Sequence, residues 1–599
     1  MNYLLQISVG PVQDFISAAR RTRDLWFGSN MLSEIAKATA RSVKYSGGKL
    51  IFPAPSTEDD LNPNSDLSVA NVILAEFEES DCITLKSVSD KAHEAAKSRL
   101  RDYADKVLEK MKYYVVQDRW NSQLNDIIEF YSAWVTIDGD YHSARRKVAR
   151  LLAARKNIRD FRPDPMACRE YKSSLDGLRE SVLMRNDSNE ELRGLPKGVR
   201  IKPKEALDAI GLIKRVPSEG DWVFPSISRV ALDTWIRGKG SKFLSDPDFK
   251  AICDGLVETE ALSRAKVQGN IYEAFPYDGV VLMPERYKSM IKDSRDEFTS
   301  KNLCAKAALY IEHSFRKGDA PSEPYLAFIC ADGDKMGKAL SAMKSADEHR
   351  KFSRELSSFA LKARNVIIKN HGICVYTGGD DVMAFLPLDK ALPCSRELHD
   401  LFDEIMGRYG ASLSVGIAIA HAMEDLSFLF QFGREAEGIA KKGVDGKAAD
   451  RNVDRNGLAV SVRSRGNIPF VVREQWKNKD GASGLSAMSL DERLEWFAER
   501  FMKNEIPAKF PYELRENAKF YDNRENDDDL KGAVISDVIR IFKHKKEIRL
   551  NDSEKDNVAE YIKSRVINAD TIRELADELI LSQWIASGMK DGEELEVQD

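Results

Sequence analysis

Hydrophobic residues follow two patterns along this chain: short runs of β-branched and aromatic residues, and longer stretches with apolar positions three or four residues apart. The short runs predict strands and the longer stretches predict helices. The two patterns alternate, so we expect an α/β protein. Because 599 residues exceed what one hydrophobic core usually organises, we expect several domains. We divide the chain into residues 1–162, 163–322, 323–465 and 466–599.

Residues 1–162 have the pattern of a ferredoxin-like sheet, in which strands alternate with covering helices. A break in the first helix is expected near Gly28. Strands are predicted at Tyr3–Val9, Lys49–Phe52, Asn71–Glu76 and Phe130–Ile137. Helices are predicted over 12–45 and 84–112.

Residues 163–322 and 466–599 carry no sheet pattern. Residues 163–200 are rich in Pro, Asp, Ser and Gly and are interpreted as a linker or insertion, and 204–319 are predicted to be mostly helical. Amphipathic helices are predicted at 488–503, 529–547, 552–566 and 569–588. We interpret this C-terminal region as a helical bundle that docks other subunits.

Residues 323–465 contain a predicted β-hairpin with two carboxylates at its tip. Strand-forming runs at Ile373–Tyr376 and Val382–Leu386 flank Gly378-Gly379-Asp380-Asp381. Glycine accepts the positive φ that a tight turn needs. Gly and Asp are also ordinary turn residues, so an isolated turn of this kind is equally typical of a solvated loop.

A second acidic cluster favours a catalytic site. The apolar run Tyr325–Ala331 predicts a buried strand, and it ends at Asp332-Gly333-Asp334. A helical stretch with a break near 344–347 connects it to the hairpin. Carboxylates from a strand end and a neighbouring hairpin are how sites for two divalent cations are assembled in phosphoryl transfer. We predict that Asp332, Asp380 and Asp381 bind Mg²⁺ or Mn²⁺ and are catalytic.

The motifs resemble a known family. The run ADGDKMGKAL (331–340), the hairpin YTGGDDVMAFLP and SLSVGIAIAHA (412–422) are similar to the second palm domain of the CRISPR polymerase, the large subunit of type III CRISPR effector complexes. The opening ISVGPVQDFISAARRTRDLWFGSNMLS (7–33) looks like the first palm of the Cmr (III-B) branch. The resemblance implies two ferredoxin-like palm domains of the GGDEF/cyclase type, plus α-helical domains.

The resemblance also implies an activity. ATP would be the substrate of a Mg²⁺-dependent nucleotidyltransferase that makes a cyclic oligoadenylate-type second messenger, or another adenylate, for antiviral defence. The partners implied are guide CRISPR RNA, target RNA and other Cmr-type subunits. The residues expected to contact nucleotide are Gly333, Asp334, Gly378, Gly379, Lys441, Lys442 and Arg455. The cations at 441 and 442 equally suit a helix end that complements its dipole, and His421 suits either a ligand contact or a structural hydrogen bond.

One basic stretch stands out in a chain of net charge −5. Residues 141–162 hold eight Lys or Arg against Asp160 alone. Such a helix is either a solvated face or a surface that contacts phosphates. We predict that it binds RNA through Arg145, Arg146, Lys147 and Arg150.

Other features of the sequence bear on localisation, on zinc binding and on nuclease activity. No apolar run approaches the roughly 20 residues of a membrane span, and the N-terminus lacks a secretory signal, so we expect a cytoplasmic protein without membrane contact. Family members often carry a cysteine-rich zinc element where this chain has only Cys168, so no zinc is expected. The chain opens directly on a first-palm strand, so we expect no N-terminal HD nuclease domain and no DNase activity of this subunit.

Two alternative functions stay open: a non-catalytic scaffold that binds RNA and subunits, and a diguanylate cyclase-like enzyme.

Overall fold

The computed structural model describes most of the chain. Its ranges are 2–78, 84–158, 171–184, 194–202, 204–216, 224–265, 271–314, 321, 323–446, 448, 450, 453–464, 469–476, 483–522 and 528–591. Cys168, Arg159, Asp160 and Arg162 lie outside these ranges, and so does much of the linker predicted at 163–200.

Ten strands form two sheets within these ranges. They are β1 (Asn2–Gly10), β2 (Lys49–Phe52), β3 (Val72–Glu78), β4 (Glu129–Ile137), β5 (Tyr325–Asp334), β6 (Ile373–Gly378), β7 (Asp381–Leu386), β8 (Ser412–His421), β9 (Gly457–Val462) and β10 (Phe470–Gln475).

The α-helices that precede β5 are α1 (Gln13–Ser17), α2 (Thr22–Tyr45), α3 (Leu85–Met111), α4 (Gln117–Asp126), α5 (Tyr141–Asn157), α6 (Ala209–Arg215), α7 (Ile227–Ala231), α8 (Asp233–Arg237), α9 (Ser241–Leu244), α10 (Pro247–Glu258), α11 (Tyr287–Lys292) and α12 (Glu297–Ser314). Those that follow are α13 (Met336–Ala342), α14 (Ala346–Lys369), α15 (Leu388–Met406), α16 (Leu426–Lys442), α17 (Leu490–Met502), α18 (Phe510–Ala518), α19 (Asp528–His544), α20 (Asp552–Arg565) and α21 (Ala569–Asp591).

The two sheets repeat one topology. The first sheet has the order β2-β3-β1-β4, and the second has β6-β7-β5-β8 continued by β9 and β10. In each repeat a strand, two helices, a strand pair, one or two further helices and a fourth strand follow one another along the chain. This is the ferredoxin-like arrangement that the hydrophobic pattern predicts for residues 1–162 and that the family resemblance implies for the second sheet. The predicted fold class, with two palm-type sheets and added helices, is confirmed.

Strand β5 forms the centre of the second sheet. Its residues are buried apart from Asp332, and its alternating side chains enter two different cores. Leu326, Phe328 and Cys330 pack on the face covered by α16, and Ala327 and Ile329 pack on the opposite face. Burying one large apolar side chain stabilises the fold by about 2 kcal/mol, so the strand is firmly anchored. The same alternation directs Asp332 and Asp334 to the α16 side.

The two repeats pack against each other reciprocally: α14 of the second lies on β2 of the first, and α2 of the first lies on β6 of the second. Polar contacts cross this joint. The Arg350 guanidinium donates to Glu76 Oε2 at 3.0 Å. The Tyr141 hydroxyl lies 2.8 Å from His349 Nδ1.

The structure differs from the sequence expectations in several elements. The first helix breaks at residues 18–21 and runs without interruption through Gly28. A Cβ at Gly28 would lie 2.9 Å from Lys214 Cε, so this glycine provides room for a buried lysine. Strand β10 and helix α18 were not predicted, and β10 extends the second sheet beyond residue 465.

The C-terminal helices join the second sheet through α21 and a buried ion pair. Arg493 of α17 lies between Glu578 of α21 at 2.9 Å and Glu474 of β10 at 2.9 Å. Removing one partner of such a pair leaves an uncompensated buried charge, so these helices are fixed in place. No helix in the ranges given above has the length and apolarity needed to cross a membrane.

Candidate active site

The hairpin of β6 and β7 presents its two aspartates at a two-residue turn. Gly378 and Asp381 pair across the hairpin, and Gly379 has a φ of +73°. A Cβ at Gly378 would overlap the Tyr376 hydroxyl, so the packing of this tyrosine favours glycine here. The glycine pair that predicted the turn therefore has two separate causes: backbone conformation at 379 and close packing at 378.

The turn meets the end of β5. Ala331 pairs with Val382, which places the next residue, Asp332, beside Asp381. The carboxyl groups of Asp332 and Asp381 are within hydrogen-bonding contact. A Cβ at Gly333 would lie 2.7 Å from the Asp380 Cβ, so Asp380 packs directly on the glycine backbone. The three predicted carboxylates are thus brought together at one end of the sheet.

Helix α16 adds a lysine to this group. The Lys441 ammonium donates to Asp332 Oδ2 and to Glu437 Oε1, the latter at 2.9 Å. Burial lowers the pKa of Lys441, but the hydrogen bonds to Asp332 and Glu437 outweigh it and raise the pKa above its ordinary value. Lys441 therefore stays charged and compensates some of the negative charge of the acidic cluster.

The cluster still holds an excess of negative charge. Burial and then the charge of Asp332 raise the pKa of Asp380 to about 7. Burial, Asp332 and Asp380 also raise the pKa of Asp381 well above its usual range. Carboxyls that repel one another in this way are a frequent feature of catalytic and metal-binding sites.

Asp334 has different surroundings from the other acids. It is fully buried, and its Oδ2 accepts hydrogen bonds from the Ser414 hydroxyl at 2.6 Å and the Asn456 backbone N–H at 2.8 Å. Arg455 Nη1 lies 3.4 Å from the other carboxylate oxygen. These contacts favour a positioning role for Asp334, which fixes the turn before β9. Contact of its carboxylate with nucleotide stays a prediction.

The remaining predicted nucleotide contacts lie around the end of α16. Lys442 is exposed, and the Arg455 backbone N–H donates to the Lys441 carbonyl at 2.8 Å. His421 is buried at the opposite end of β8, where its ring packs on Tyr325 and its Nδ1 accepts the Met423 N–H at 3.1 Å. The structure thus separates His421 from the aspartates and gives it a structural hydrogen bond.

The predicted RNA-contacting residues are not members of this cluster. They lie on α5, which covers one face of the first sheet. Arg146, Lys147 and Arg150 are exposed. Arg145 is half-buried, and its guanidinium lies 3.5 Å from Ser341 Oγ on α13. The basic face therefore borders the helix that follows Asp334.

Sequence reasoning missed two residues of the site. Glu437 holds Lys441 from one helical turn earlier, and Tyr376 packs its hydroxyl over Gly378 beside the aspartates. The signals were present: an i, i+4 acid–lysine pair on α16, and an i, i+2 relation on β6 that puts both residues on one face. Neither signal is specific without the structure.

The three aspartates suit a metal ion that binds together with the phosphates of a substrate. Among the described residues, no group of three or more His, Cys, Asp and Glu side chains is arranged to hold a metal ion by itself. Mg²⁺ is commonly held by one or two carboxylates together with substrate phosphates and water. The surplus negative charge at Asp332, Asp380 and Asp381 is what such a cation would neutralise, so these residues fit Mg²⁺ or Mn²⁺.

Comparisons with known proteins match both repeats. The family model described as "Cas10/Cmr2, second palm domain" matches residues 325–450, which contain the aspartate cluster. The model described as "CRISPR-associated protein Cmr2, N-terminal" matches residues 4–119. Two separate parts of the chain are thus similar to Cas10/Cmr2 proteins. The predicted resemblance to the large subunit of the type III-B branch is thereby confirmed.

Individual relatives agree with this assignment. The CRISPR system Cmr subunit Cmr2 of Pyrococcus furiosus is 22% identical over 581 residues, an alignment that covers 79% of this chain and 63% of that protein. The chain therefore spans less than two thirds of the length of this Cmr2. Its fold is similar to chains in two type III-B Cmr-beta structures, one bound to cognate target RNA (TM-score 0.62, 14% identity, 92% of this chain and 80% of that one) and one in the apo state (0.59, 14%, 92% and 78%).

Proposed function

We propose that this chain is the nucleotidyltransferase subunit of a cytoplasmic type III-B CRISPR effector complex, and that it converts ATP into a cyclic oligoadenylate-type second messenger when the complex holds target RNA. The observation that carries the proposal is the convergence of Asp332, Asp380 and Asp381 beside Lys441. The match of residues 325–450 to the second palm domain of Cas10/Cmr2 supports it.

Asp332, Asp380 and Asp381 would hold Mg²⁺ or Mn²⁺. When bound, the metal supplies charge neutralisation of the triphosphate and lowers the pKa of the attacking ribose hydroxyl. The surrounding fold keeps the carboxylates in place: Asp332 at the end of a buried strand, and Asp380 against the Gly333 backbone. Such positioning removes much of the entropic cost of bringing two nucleotides into line.

Lys441 and its neighbours would bind the triphosphate. Lys441 is charged and is held by Asp332 and Glu437, and of these two carboxylates Asp332 would be shared with a bound metal. A phosphate oxygen then becomes its best partner, because a lysine ammonium is a strong phosphate donor. Lys442 and Arg455 lie at the same helix end and would contact the outer phosphates. Gly333, Gly378 and Gly379 are the further nucleotide contacts that we propose, through their backbone groups beside the aspartates.

Phosphoryl transfer of this kind needs positioning and charge rather than a covalent intermediate. The site accordingly offers three carboxylates and a lysine. A single in-line attack of a ribose hydroxyl on an α-phosphate, with pyrophosphate leaving, would join two adenylates. Repetition and ring closure by the same attack would give the cyclic product.

Guide RNA, target RNA and other Cmr-type subunits are the partners we propose. The exposed basic residues Arg146, Lys147 and Arg150 on α5 offer a phosphate-contacting face, which supports RNA contact. The similar Cmr-beta structure bound to cognate target RNA supports the same partners. The proximity of α5 to α13 offers a path between RNA contact and the aspartate cluster.

The test is to purify the complex and incubate it with Mg²⁺ and each of the four labelled ribonucleoside triphosphates, with and without cognate target RNA. The proposal predicts that ATP alone is consumed, in the presence of target RNA, with release of pyrophosphate and a product resistant to phosphatase. Consumption of GTP independent of target RNA would support a diguanylate cyclase-like enzyme instead. Absence of turnover of any nucleotide would support a scaffold.

A further inference from the structure

A large cavity lies between the start of α2, the loops on either side of α6 and α7, and the start of α16. Its volume is about 1210 Å³, above the roughly 300–1,000 Å³ usual for small-molecule pockets. Residues 422–427, which follow β8, form one wall. Asp332 and Asp334 instead pair with Ser414 and Ser412 at the other end of β8. At about 3.3 Å per residue, the length of this strand separates the cavity from the aspartates by roughly 30 Å.

The cavity is basic in a chain whose net charge is −5. Among the described residues that line it, nine are Arg or Lys and six are Asp or Glu. Several of these acids have partners of their own. Glu260 pairs with Arg295 at 3.0 Å, and Asp278 accepts the Ser228 hydroxyl at 2.8 Å. By residue type, basic side chains therefore outnumber acidic ones in the lining by three.

The arginines of the cavity differ in whether a carboxylate neutralises their positive charge. Arg215 is buried between Asp24 at 2.8 Å and Glu205 at 2.9 Å. Arg20 and Arg21 direct only their backbone N–H groups to Asp24, each at 3.2 Å. Within the ranges that the structure describes, the guanidinium groups of these two arginines form no ion pair with a carboxylate. Burial and then the charge of Arg215 lower the pKa of Arg21 to about 10.

Arg200 completes the basic wall. Its guanidinium donates to the Leu262 carbonyl at 3.2 Å and, among the residues that the structure describes, forms no ion pair with a carboxylate. Phe224 also lines the cavity and contributes an apolar surface, and its ring stacks on Trp26 with centroids 5.6 Å apart. Guanidinium groups without carboxylate partners, set beside an aromatic wall, suit a ligand that combines phosphate with a flat ring.

We propose that this cavity binds a phosphate-bearing ligand, either a free nucleotide or the end of an RNA strand, through Arg20, Arg21 and Arg200. Phosphate groups are the shared chemistry of both sources. The inference is independent of nucleotide turnover, because none of the aspartates takes part in it.

The experiment measures binding to the purified full-length chain in EDTA. Every sample carries Asp380→Ala, Asp381→Ala, Arg146→Glu and Arg150→Glu, so that neither the aspartate turn nor α5 contributes. The probes are inorganic tripolyphosphate, followed by calorimetry, and a short 5′-phosphorylated, fluorescein-labelled RNA, followed by anisotropy. Arg20→Glu and Arg21→Gln are compared with Arg41→Glu, a control farther along α2 and outside the cavity.

We expect Arg20→Glu and Arg21→Gln to weaken binding of at least one probe tenfold or more, and Arg41→Glu to leave it unchanged. A loss confined to tripolyphosphate identifies a free nucleotide or polyphosphate as the ligand, and a loss confined to RNA identifies a strand end. If Arg21→Gln lowers the melting temperature of the protein, its weaker binding could reflect unfolding. The binding measurement for Arg20→Glu then decides, because Arg20 is exposed and its replacement disturbs no core. Equal affinities in all three variants, or no binding of either probe at about 1 mM, would overturn the proposal.

Discussion

The ammonium of Lys441 lies against the carboxylate of Asp332, although the two residues are 109 positions apart in the chain. Glu437 holds the same ammonium from the preceding turn of α16. The lysine therefore occupies the space next to the carboxylate that a divalent cation would share. We interpret it as a charge that stabilises the three aspartates before substrate binds and then contacts phosphate.

This interpretation makes a prediction for Lys441→Met. The variant keeps the length of the side chain but removes the charge, so binding of the triphosphate should weaken in the ground state and in the transition state. We expect ATP turnover by the target-bound complex to fall by about 100-fold, or roughly 3 kcal/mol, with a raised KM. Lys362→Met, an exposed position on α14, is the control. Similar kinetics in the two variants would exclude a role for Lys441 in nucleotide binding.

Gly333 and Gly337 form a matched pair for testing the packing of the turn. An added methyl group at Gly333 would meet Asp380 Cβ at 2.7 Å and Met336 Cγ at 2.9 Å, whereas one at Gly337 would meet nothing within 4 Å. We expect Gly333→Ala to displace Asp380 and reduce turnover at least tenfold (about 1.4 kcal/mol). Gly337→Ala should retain wild-type turnover. The measurement is the steady-state rate of ATP turnover by both variants. Equal rates would show that the position of Asp380 against the strand is unimportant for turnover.

The basic face of α5 makes a prediction for RNA binding. In the complex reconstituted with guide RNA, we expect Arg146→Glu with Arg150→Glu to weaken target RNA binding. The dependence of log K on log salt should become shallower by about 0.7 for each single-strand phosphate that the protein no longer neutralises. Lys86→Glu with Lys91→Glu, two exposed positions on α3, changes the net charge equally. If both double variants behave alike, α5 is a solvated face.

The stability of the protein should fall at acidic pH because of His349, which lies where the two repeats pack together. Burial, followed by the charges of Arg145 and Arg350, lowers the pKa of His349 to about 4 from its usual 6.5. The unfolded chain then binds a proton in a pH range where the folded chain does not. His349 therefore costs no stability above pH 6.5, and stability is lost as the pH falls from 6.5 towards 4, at up to about 1.4 kcal/mol per pH unit.

The measurement is chemical denaturation at several pH values for the wild type, His349→Gln and His313→Gln, the last an exposed histidine on α12. We expect the stability of His349→Gln to depend less on pH below 6.5, and that of His313→Gln to follow the wild type. Identical slopes for all three proteins would contradict the burial of a neutral His349.

Local patterns made much of this fold predictable. Strand β5 and the hairpin follow from an apolar run and a glycine pair, and both lie within a few residues of the predicted limits. The helix break was misplaced because Gly28 signals flexibility in the sequence, whereas in the fold it makes space for Lys214. Strand β10 was missed because it is short and its charged residues pair with groups distant in the chain, such as Arg493.

The candidate site was predictable only in part. The three carboxylates belong to local motifs, so the sequence identified them. Their partners depend on tertiary packing. Glu437 meets the cluster only because α16 returns across β5, and Asp334 is buried only because β8 and the turn before β9 supply its hydrogen-bond donors. Acidic residue type alone does not distinguish Asp332 from Asp334, but their burial and hydrogen bonding do.

The most direct test of the account compares two pairs of adjacent aspartates in the assembled complex. Asp380→Ala with Asp381→Ala removes the turn carboxylates of the second repeat. Asp59→Ala with Asp60→Ala alters the pair that lies between the corresponding strands of the first repeat, where Asp60 caps a loop by accepting the N–H groups of Ser56 at 2.6 Å and Thr57 at 2.9 Å. The measurement is conversion of labelled ATP in Mg²⁺ and target RNA. We expect no detectable product from the first variant, normal assembly of both, and near wild-type rates from the second. Wild-type turnover by the variant that lacks Asp380 and Asp381 would contradict it.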